Sequence, residues 1–183
     1  MDNGASSYRR FLDGDEAAFD DIMQELFHPL VFFINRYVRD LHTAEDLAID
    51  VFSDLVVHRH RYHFKVSLKT YLFMLGRSRA LDALRRHRGV TLCPLSEAEQ
   101  VADDAALPES RVLQTQRQQV IAAALSRLPR EQQIAVYLVY LEDMTYEEAA
   151  RVMKKTKKQV DNLLYRGKQA LRVILGKDGA DYL

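Results

Sequence analysis

The stretch TYEEAARVMKKTKKQVDNLLYRGKQALRVIL, residues 145–175, decides the fold. Thr145 is followed by Glu148 three positions on, and Thr156 by Gln159. Each pair has the spacing of a capping box, in which the threonine oxygen accepts from an orphan amide of the first turn and the Glu or Gln reaches back to the cap's own amide. Two helices therefore start eleven residues apart. The first has room for about two turns, Tyr146 to Met153, before a tight turn at Lys154-Lys155. Ala149 and Ala150 are small, as a close helix crossing requires. In the second helix Val160, Leu163, Leu164, Leu171 and Ile174 share a face, leaving Lys157, Lys158, Gln159, Asp161, Asn162, Tyr165, Arg166 and Gln169 for the rest of its surface. A helix-turn-helix carrying such donors on its second helix is suited to a DNA major groove. The plain alternative is an αα-hairpin with a solvated basic face.

Working outward, the charges are segregated. The 26 basic and 26 acidic residues cancel, which argues against nucleic acid only where the signs are evenly mixed. Up to Val57 the chain is acid-rich; from His58 to Arg88 only Asp82 opposes Arg59, Arg61, Lys65, Lys69, Arg77, Arg79, Arg85, Arg86 and Arg88. Glu97 to Glu109 is acidic without Lys or Arg, and Arg151 to Arg172 is basic again. Two basic surfaces thus flank an acidic connector.

Helical spacing runs through nearly every segment outside that connector, so the fold class is all-α: two small helical domains joined by a flexible acidic linker, the C-terminal one carrying the helix-turn-helix. Asp13 and Glu16 look like a helix start, with Phe19, Ile22, Met23, Leu26 and Phe27 on one face; the helix continues or restarts after Pro29. Thr43 is expected to cap the next helix, with a stripe of Leu47, Val51, Leu55 and Val56. His58 to Val66 breaks the pattern, and Ser67 opens a helix with Leu68, Tyr71, Leu72, Leu75, Ala80, Leu81 and Leu84 inward, ending in a basic run before Gly89. Gly89 to about Pro108 has no sustained period and reads as the linker. A helix around Val112 to Leu125 and another over Ile134 to Leu141, introduced by Leu128-Pro129, complete the second domain.

Five segments, in order, resemble the extracytoplasmic-function group of bacterial RNA polymerase sigma factors. Gly14-Asp-Glu-Ala-Ala-Phe19 resembles the opening of their second domain, and Ala44-Glu-Asp-Leu-Ala-Ile-Asp-Val-Phe52 the acidic helix that docks on the polymerase. Leu68 to Leu72 through Ala80 to Arg85 is similar to their promoter-opening helix. Leu128-Pro-Arg-Glu131 and Met144-Thr-Tyr-Glu-Glu-Ala-Ala150 are similar to their fourth domain.

The resemblance implies the division 1–88 as sigma domain 2, 89–110 as linker and 111–183 as sigma domain 4. It implies a protein that binds core RNA polymerase and directs promoter-specific initiation, domain 2 opening the −10 element and domain 4 reading the −35 element. Asp46, Leu47, Asp50 and Phe52 are then candidates for polymerase binding, although an acidic helix is also consistent with a solvated face. Tyr62, His63, Lys65, Lys69, Arg77, Ser78 and Arg85 are candidates for the −10 element. Opening a duplex costs on the order of 1–2 kcal/mol per stacking step, and a pocket for an extruded base offsets part of it. Tyr62 and Phe64 are equally readable as core anchors. Lys157, Lys158, Gln159, Asp161, Asn162, Tyr165 and Arg166 are candidates for the −35 element. An anti-sigma factor is implied as a partner by the resemblance alone.

The chain departs from that family at several points: Tyr71 stands for a usual tryptophan, Ser78 for a frequent asparagine, and Ile49 for a common glutamine. Phe64 and Lys65 replace a usual glycine and acid, and Lys154-Lys155 a frequent glycine. Other classes fit less well. An operator-binding regulator needs a sensor pocket or an α/β phosphoacceptor, and neither pattern is present. Six histidines include no i, i+4 pair and no Cys partner, so no metal, cofactor or enzymatic role is expected. Cys93 is the lone cysteine, and no apolar run of about 18 residues or secretory leader is seen, which points to the cytoplasm. The acidic connector is expected to follow a basic path on the polymerase, its charge imitating nucleic acid.

Overall fold

The computed structural model describes residues 4–90 and 123–175, and among these every regular element is helical. Helix α1 (Ala5–Leu12) precedes α2 (Ala17–Val38), α3 (Leu41–Val57) and α4 (Leu68–Val90). After a helical turn at residues 123–126, α5 (Arg130–Val136) runs into a π-helical turn, Tyr137–Leu141. Then come α6 (Tyr146–Met153) and α7 (Lys157–Leu175). The linker and the expected helix from Val112 fall on residues 91–122, outside the described residues apart from their edges.

The first unit is α1 to α4. Asp13 does not open α2: it follows the end of α1, and the chain turns through Gly14 at φ 101° before α2 begins. Pro29 lies inside α2 without breaking it. Leu26, Leu30, Phe33 and Ile34 are buried on either side of the proline, and about 1.5–3 kcal/mol per buried side chain opposes the break that a proline otherwise makes. The cap of α3 is Asp40 rather than Thr43. Arg39 leaves α2 in the left-handed region, Asp40 is extended, and its carboxylate accepts from the Thr43 amide at 2.7 Å. That bond, from hydroxyl as well as amide, holds the Asp40 carboxyl below the usual range. Ser67 caps α4 as expected, accepting from the Thr70 amide at 3.1 Å. Helix α4 crosses α2 at Gly76, where a Cβ would stand 2.8 Å from Leu30 Cδ1.

The second unit reproduces the two-box motif. Thr145 Oγ1 accepts from the Glu148 amide at 3.2 Å and Glu148 returns to the Thr145 amide at 3.0 Å. Thr156 and Gln159 repeat the pattern at 3.2 and 2.8 Å. Val160, Leu164 and Leu171 are buried, and Gly167 lets α7 pass within 3.1 Å of Val136 Cγ2, measured from where its Cβ would be.

The two units are seated on each other, which their reading as separate domains on a tether does not convey. Helix α4 packs along α6, and α2 meets α5. Tyr137 donates its hydroxyl to the Pro29 carbonyl at 2.9 Å, and Arg130 donates to the Tyr37 carbonyl at 3.2 Å.

Candidate nucleic-acid interface

Helix α7 presents its polar face to solvent. Lys157, Lys158, Gln159, Asp161, Asn162, Tyr165 and Arg166 are all exposed, Tyr165 at 66%. The Thr156 box holds the first turn and satisfies the Thr156 and Gln159 amides, while those of Lys157 and Lys158 lie at the positive end of the helix, where an anion is favoured. Lys157 is already paired with Glu147 of α6, which raises the lysine's pKa and lowers the glutamate's through a shared hydrogen bond. The turn between α6 and α7 keeps the geometry that a glycine favours: Lys154 sits at φ 53°, ψ 46°. Tyr146 packs part-buried behind this face, and Lys168 lies over the ring of Tyr140 at 4.7 Å.

On the first unit the candidates separate into four groups. His63, Lys65, Ser78 and Arg85 are exposed; Arg85 is ion-paired with Asp82 one turn away. Arg77 is half-buried against Tyr37 of α2, whose hydroxyl pKa is raised by burial and pulled back by Arg77 and Arg130. Lys69 is tied to the second unit, its Nζ 2.7 Å from Glu142 Oε2. Tyr62 is the correction: at 4% exposure it belongs to the core. Its hydroxyl donates to the Val66 carbonyl at 2.7 Å, and its ring meets Phe64 at 4.6 Å, Tyr71 at 5.1 Å and Tyr8 at 5.5 Å.

That aromatic cluster explains the loop's shape. Tyr8 is fully buried and donates to the carbonyls of Leu55 and Arg59, at 3.2 and 2.9 Å, tying α1 across the end of α3. Burial, with the neighbouring Tyr71, pushes its hydroxyl to about 12. Phe64 occupies φ 57°, the left-handed region that favours glycine, and its ring packs beside Tyr8. Asp54 anchors the same loop from α3, with His58 Nδ1 at 2.8 Å, Arg61 at 3.6 Å and Arg79 of α4 at 3.7 Å. The basic loop is therefore held rigid by one carboxylate and four rings.

On α3, Asp46 and Asp50 face solvent, whereas Leu47 and Phe52 are 6% and 3% exposed. Leu47 and Phe52 serve the core: one i, i+3, i+4 stripe cannot face both α2 and a partner. Beside the two acids lies a groove lined by Phe19, Met23, Ile49, Phe52, Val56 and Val57, with Ile49 51% and Val57 74% exposed. Sequence reasoning passed over it because Phe19 and Met23 read as core. The signal was Ile49 and Val57, apolar residues outside the buried stripe of α3. Among the described residues no cluster of His, Cys, Asp or Glu is placed to hold a metal ion, and no helix is long and apolar enough to cross a membrane.

Comparison with known proteins gives these surfaces a context. Residues 27–90 match the family described as Sigma-70 region 2, and residues 118–171 match Sigma-70, region 4. The sigma factor SigM of Bacillus subtilis is 27% identical over 159 residues, covering 86% of this chain and 95% of that protein. CarQ of Myxococcus xanthus, an RNA polymerase sigma factor, is 28% identical over 168 residues, covering 92% and 95%. Among solved structures, RpoE of Bartonella quintana, in complex with the anti-sigma factor NepR, superposes with a TM-score of 0.64 at 22% identity, covering 87% of this chain and 98% of that one. CnrH, in complex with the cytosolic domain of CnrY, gives 0.61 at 17% identity, covering 94% of each. These two share the fold. Both regions of one family are present in order, and they frame the helix-turn-helix and the basic helix described above. The chain belongs to the extracytoplasmic-function group of bacterial RNA polymerase sigma factors, which direct transcription to specific promoters.

Proposed function

We propose that the chain divides promoter recognition between its two units, with residues 1–88 opening the −10 element and residues 111–183 reading the −35 element across the linker at 89–110. The observation that carries this is the unbroken exposed polar face at the front of α7. Arg166, Asn162 and Gln159 supply the donors that read guanine and adenine edges, and Lys157 and Lys158 neutralise phosphates. Asp161 accepts from an exposed cytosine amine or orients its lysine neighbours, and Tyr165 lends an exposed ring with a polar tip.

In the first unit, His63 and Lys65 on the rigid loop, with Lys69, Arg77, Ser78 and Arg85 along α4, receive the displaced strand; Tyr62 supports the loop from behind. Asp46 and Asp50 meet a basic helical surface of core RNA polymerase, with the Ile49 groove beside them taking an apolar side chain. The protein acts in the cytoplasm, has no catalytic activity of its own and needs no cofactor. An anti-sigma factor as regulatory partner accords with the complex in which RpoE was solved.

Run-off transcription with purified core enzyme on a panel of promoters from the native genome tests this reading. Specific transcripts that disappear on Asn162→Ala with Arg166→Ala are expected. A panel giving no specific transcript with the unaltered protein would overturn it.

A further inference from the structure

The cations around the loop between α3 and α4 divide by what holds them. His58, Arg61 and Arg79 share the Asp54 carboxylate, and Arg85 lies on Asp82. Each of these faces an acid whose field opposes its own. Arg9 and Arg59 are held by rings instead. The guanidinium of Arg9, on α1, lies 4.9 Å over Phe64 of the loop, and that of Arg59, in the loop, lies 4.7 Å over Phe11 of α1. A ring orients a guanidinium without neutralising it. Both arginines are exposed, and among the described residues neither has a carboxylate within ion-pair distance. Arg10, the next residue of α1, is by contrast paired with Asp15 at 2.7 Å and Asp21 at 3.5 Å.

Uncompensated positive charge therefore gathers where α1 meets the loop. His63 and Lys65, the exposed sequence neighbours of Phe64, lie on the same edge. The edge is fixed, because Tyr8 is fully buried and its hydroxyl donates to the carbonyls of Leu55 and Arg59. An exposed guanidinium held over a ring offers a single strand two things at once, a cation for a phosphate and a planar surface for an unstacked base. A duplex, whose bases are already stacked, can use only the first. Helix α1 lies outside the segment that matches Sigma-70 region 2, which begins at residue 27.

We propose that α1 belongs to the DNA interface: Arg9, with Arg59 beside it, is a single-strand contact that carries the displaced strand from the loop on to α1. This deepens the reading of the loop and α4 as the strand-receiving surface and rests on it. Helix α1 then acts twice, supporting the loop through Tyr8 and meeting the strand through Arg9.

The test uses holoenzyme assembled from core RNA polymerase and the full chain, on the promoter that the run-off panel identifies, in a fully paired and in a premelted form. Arg9→Ala should lower affinity for the premelted template about tenfold, as loss of one stacked base contact does, and reduce the salt slope by about 1. Affinity for the paired template, held in closed complexes at low temperature, should stay as it was. Arg10→Ala removes the same charge one position along, from a side chain already committed to Asp15, and should change neither affinity. Arg9→Met keeps an apolar chain over Phe64 and should behave as Arg9→Ala. Affinity restored by Arg9→Met would show a packing role only and overturn the proposal, as would equal losses on both templates with Arg9→Ala. Lys65→Ala, on the loop itself, separates the two readings. A loss with Lys65→Ala and none with Arg9→Ala refutes the contact on α1 alone, and a loss with neither refutes strand reception by the loop as well.

Discussion

Arg36 lies over the ring of Tyr137, its guanidinium carbon 3.6 Å from the ring centroid, across the boundary between the two units. The same tyrosine donates its hydroxyl to the Pro29 carbonyl. Tyr137→Phe keeps the stack and loses the hydrogen bond, so urea denaturation should show a loss of about 1 kcal/mol. Tyr137→Leu loses the stack as well, a further ~1 kcal/mol or more for a desolvated pair. An Arg36→Met change in the Tyr137→Leu background should add less than it does alone, as a double-mutant cycle requires of touching residues.

Lys154 and Phe64 occupy the same left-handed region for different returns. Lys154 is exposed at φ 53°, so Lys154→Gly removes strain at little cost in contacts and should raise stability by about 0.5–1 kcal/mol. Phe64→Gly also relaxes the backbone but forfeits ring contacts with Tyr62 and Tyr8. There we expect a net loss of about 1–2 kcal/mol. Paired urea midpoints check both signs.

Thr156→Ala removes one half of the second capping box. Stability should fall by about 1 kcal/mol. Because Lys157, Lys158 and Gln159 lie in the turn that this box holds, affinity for −35 duplex should fall across all sequences alike. Thr156→Ser, which keeps the oxygen, should restore both.

The base and phosphate contacts proposed for α7 are separable by their salt dependence. Lys158→Ala should weaken duplex binding uniformly and reduce the salt slope by about 1. Asn162→Ala should leave that slope unchanged and cost about 1–3 kcal/mol of discrimination at one base pair. A filter-binding series in salt, on matched and substituted −35 duplexes, distinguishes them.

Acid should act through Glu148. Burial raises its pKa, but hydrogen bonds from the Thr145 amide and hydroxyl and from Thr70 and Ser67 outweigh it, and the net shift is downward. A lowered folded value means that its stabilisation is complete above the ordinary glutamate value, about 4.3, and is lost as pH falls through the lowered folded value. Glu148→Gln should therefore be less stable than the unaltered chain near neutrality. The difference should shrink in acid, measured as urea midpoints across that range.

How much of this was legible in the sequence depends on how local the cause is. The two capping boxes are encoded within four residues each, and the helix bounds around them were readable from Thr145, Glu148, Thr156 and Gln159 alone. The exposed face of α7 followed from its apolar stripe. At Asp40 the local signal misled, because a threonine three residues on offered an equally good cap and only the left-handed turn at Arg39 decides between them. Tyr62 was ambiguous for a deeper reason: an aromatic in a basic loop looks the same whether it faces a base or Tyr8, and Tyr8 is 54 positions away. The contacts of Lys69 with Glu142 and of Ser67 with Glu148 pair residues from separate units, and no periodicity reports them.

The π-helical turn at Tyr137–Leu141 sets the angular phase of everything after it. The Glu142 amide bonds back to the Tyr137 carbonyl and the Met144 amide to the Leu138 carbonyl, so this stretch is wound more widely than a regular helix. Removing one residue there would rotate the downstream chain by about 100° about the helix axis. Glu142 would swing away from Lys69, and α6 would leave its bearing on α4. Length between Val136 and Thr145 is thus under tighter constraint than residue type, and a single-codon deletion should be tolerated there far less well than most substitutions.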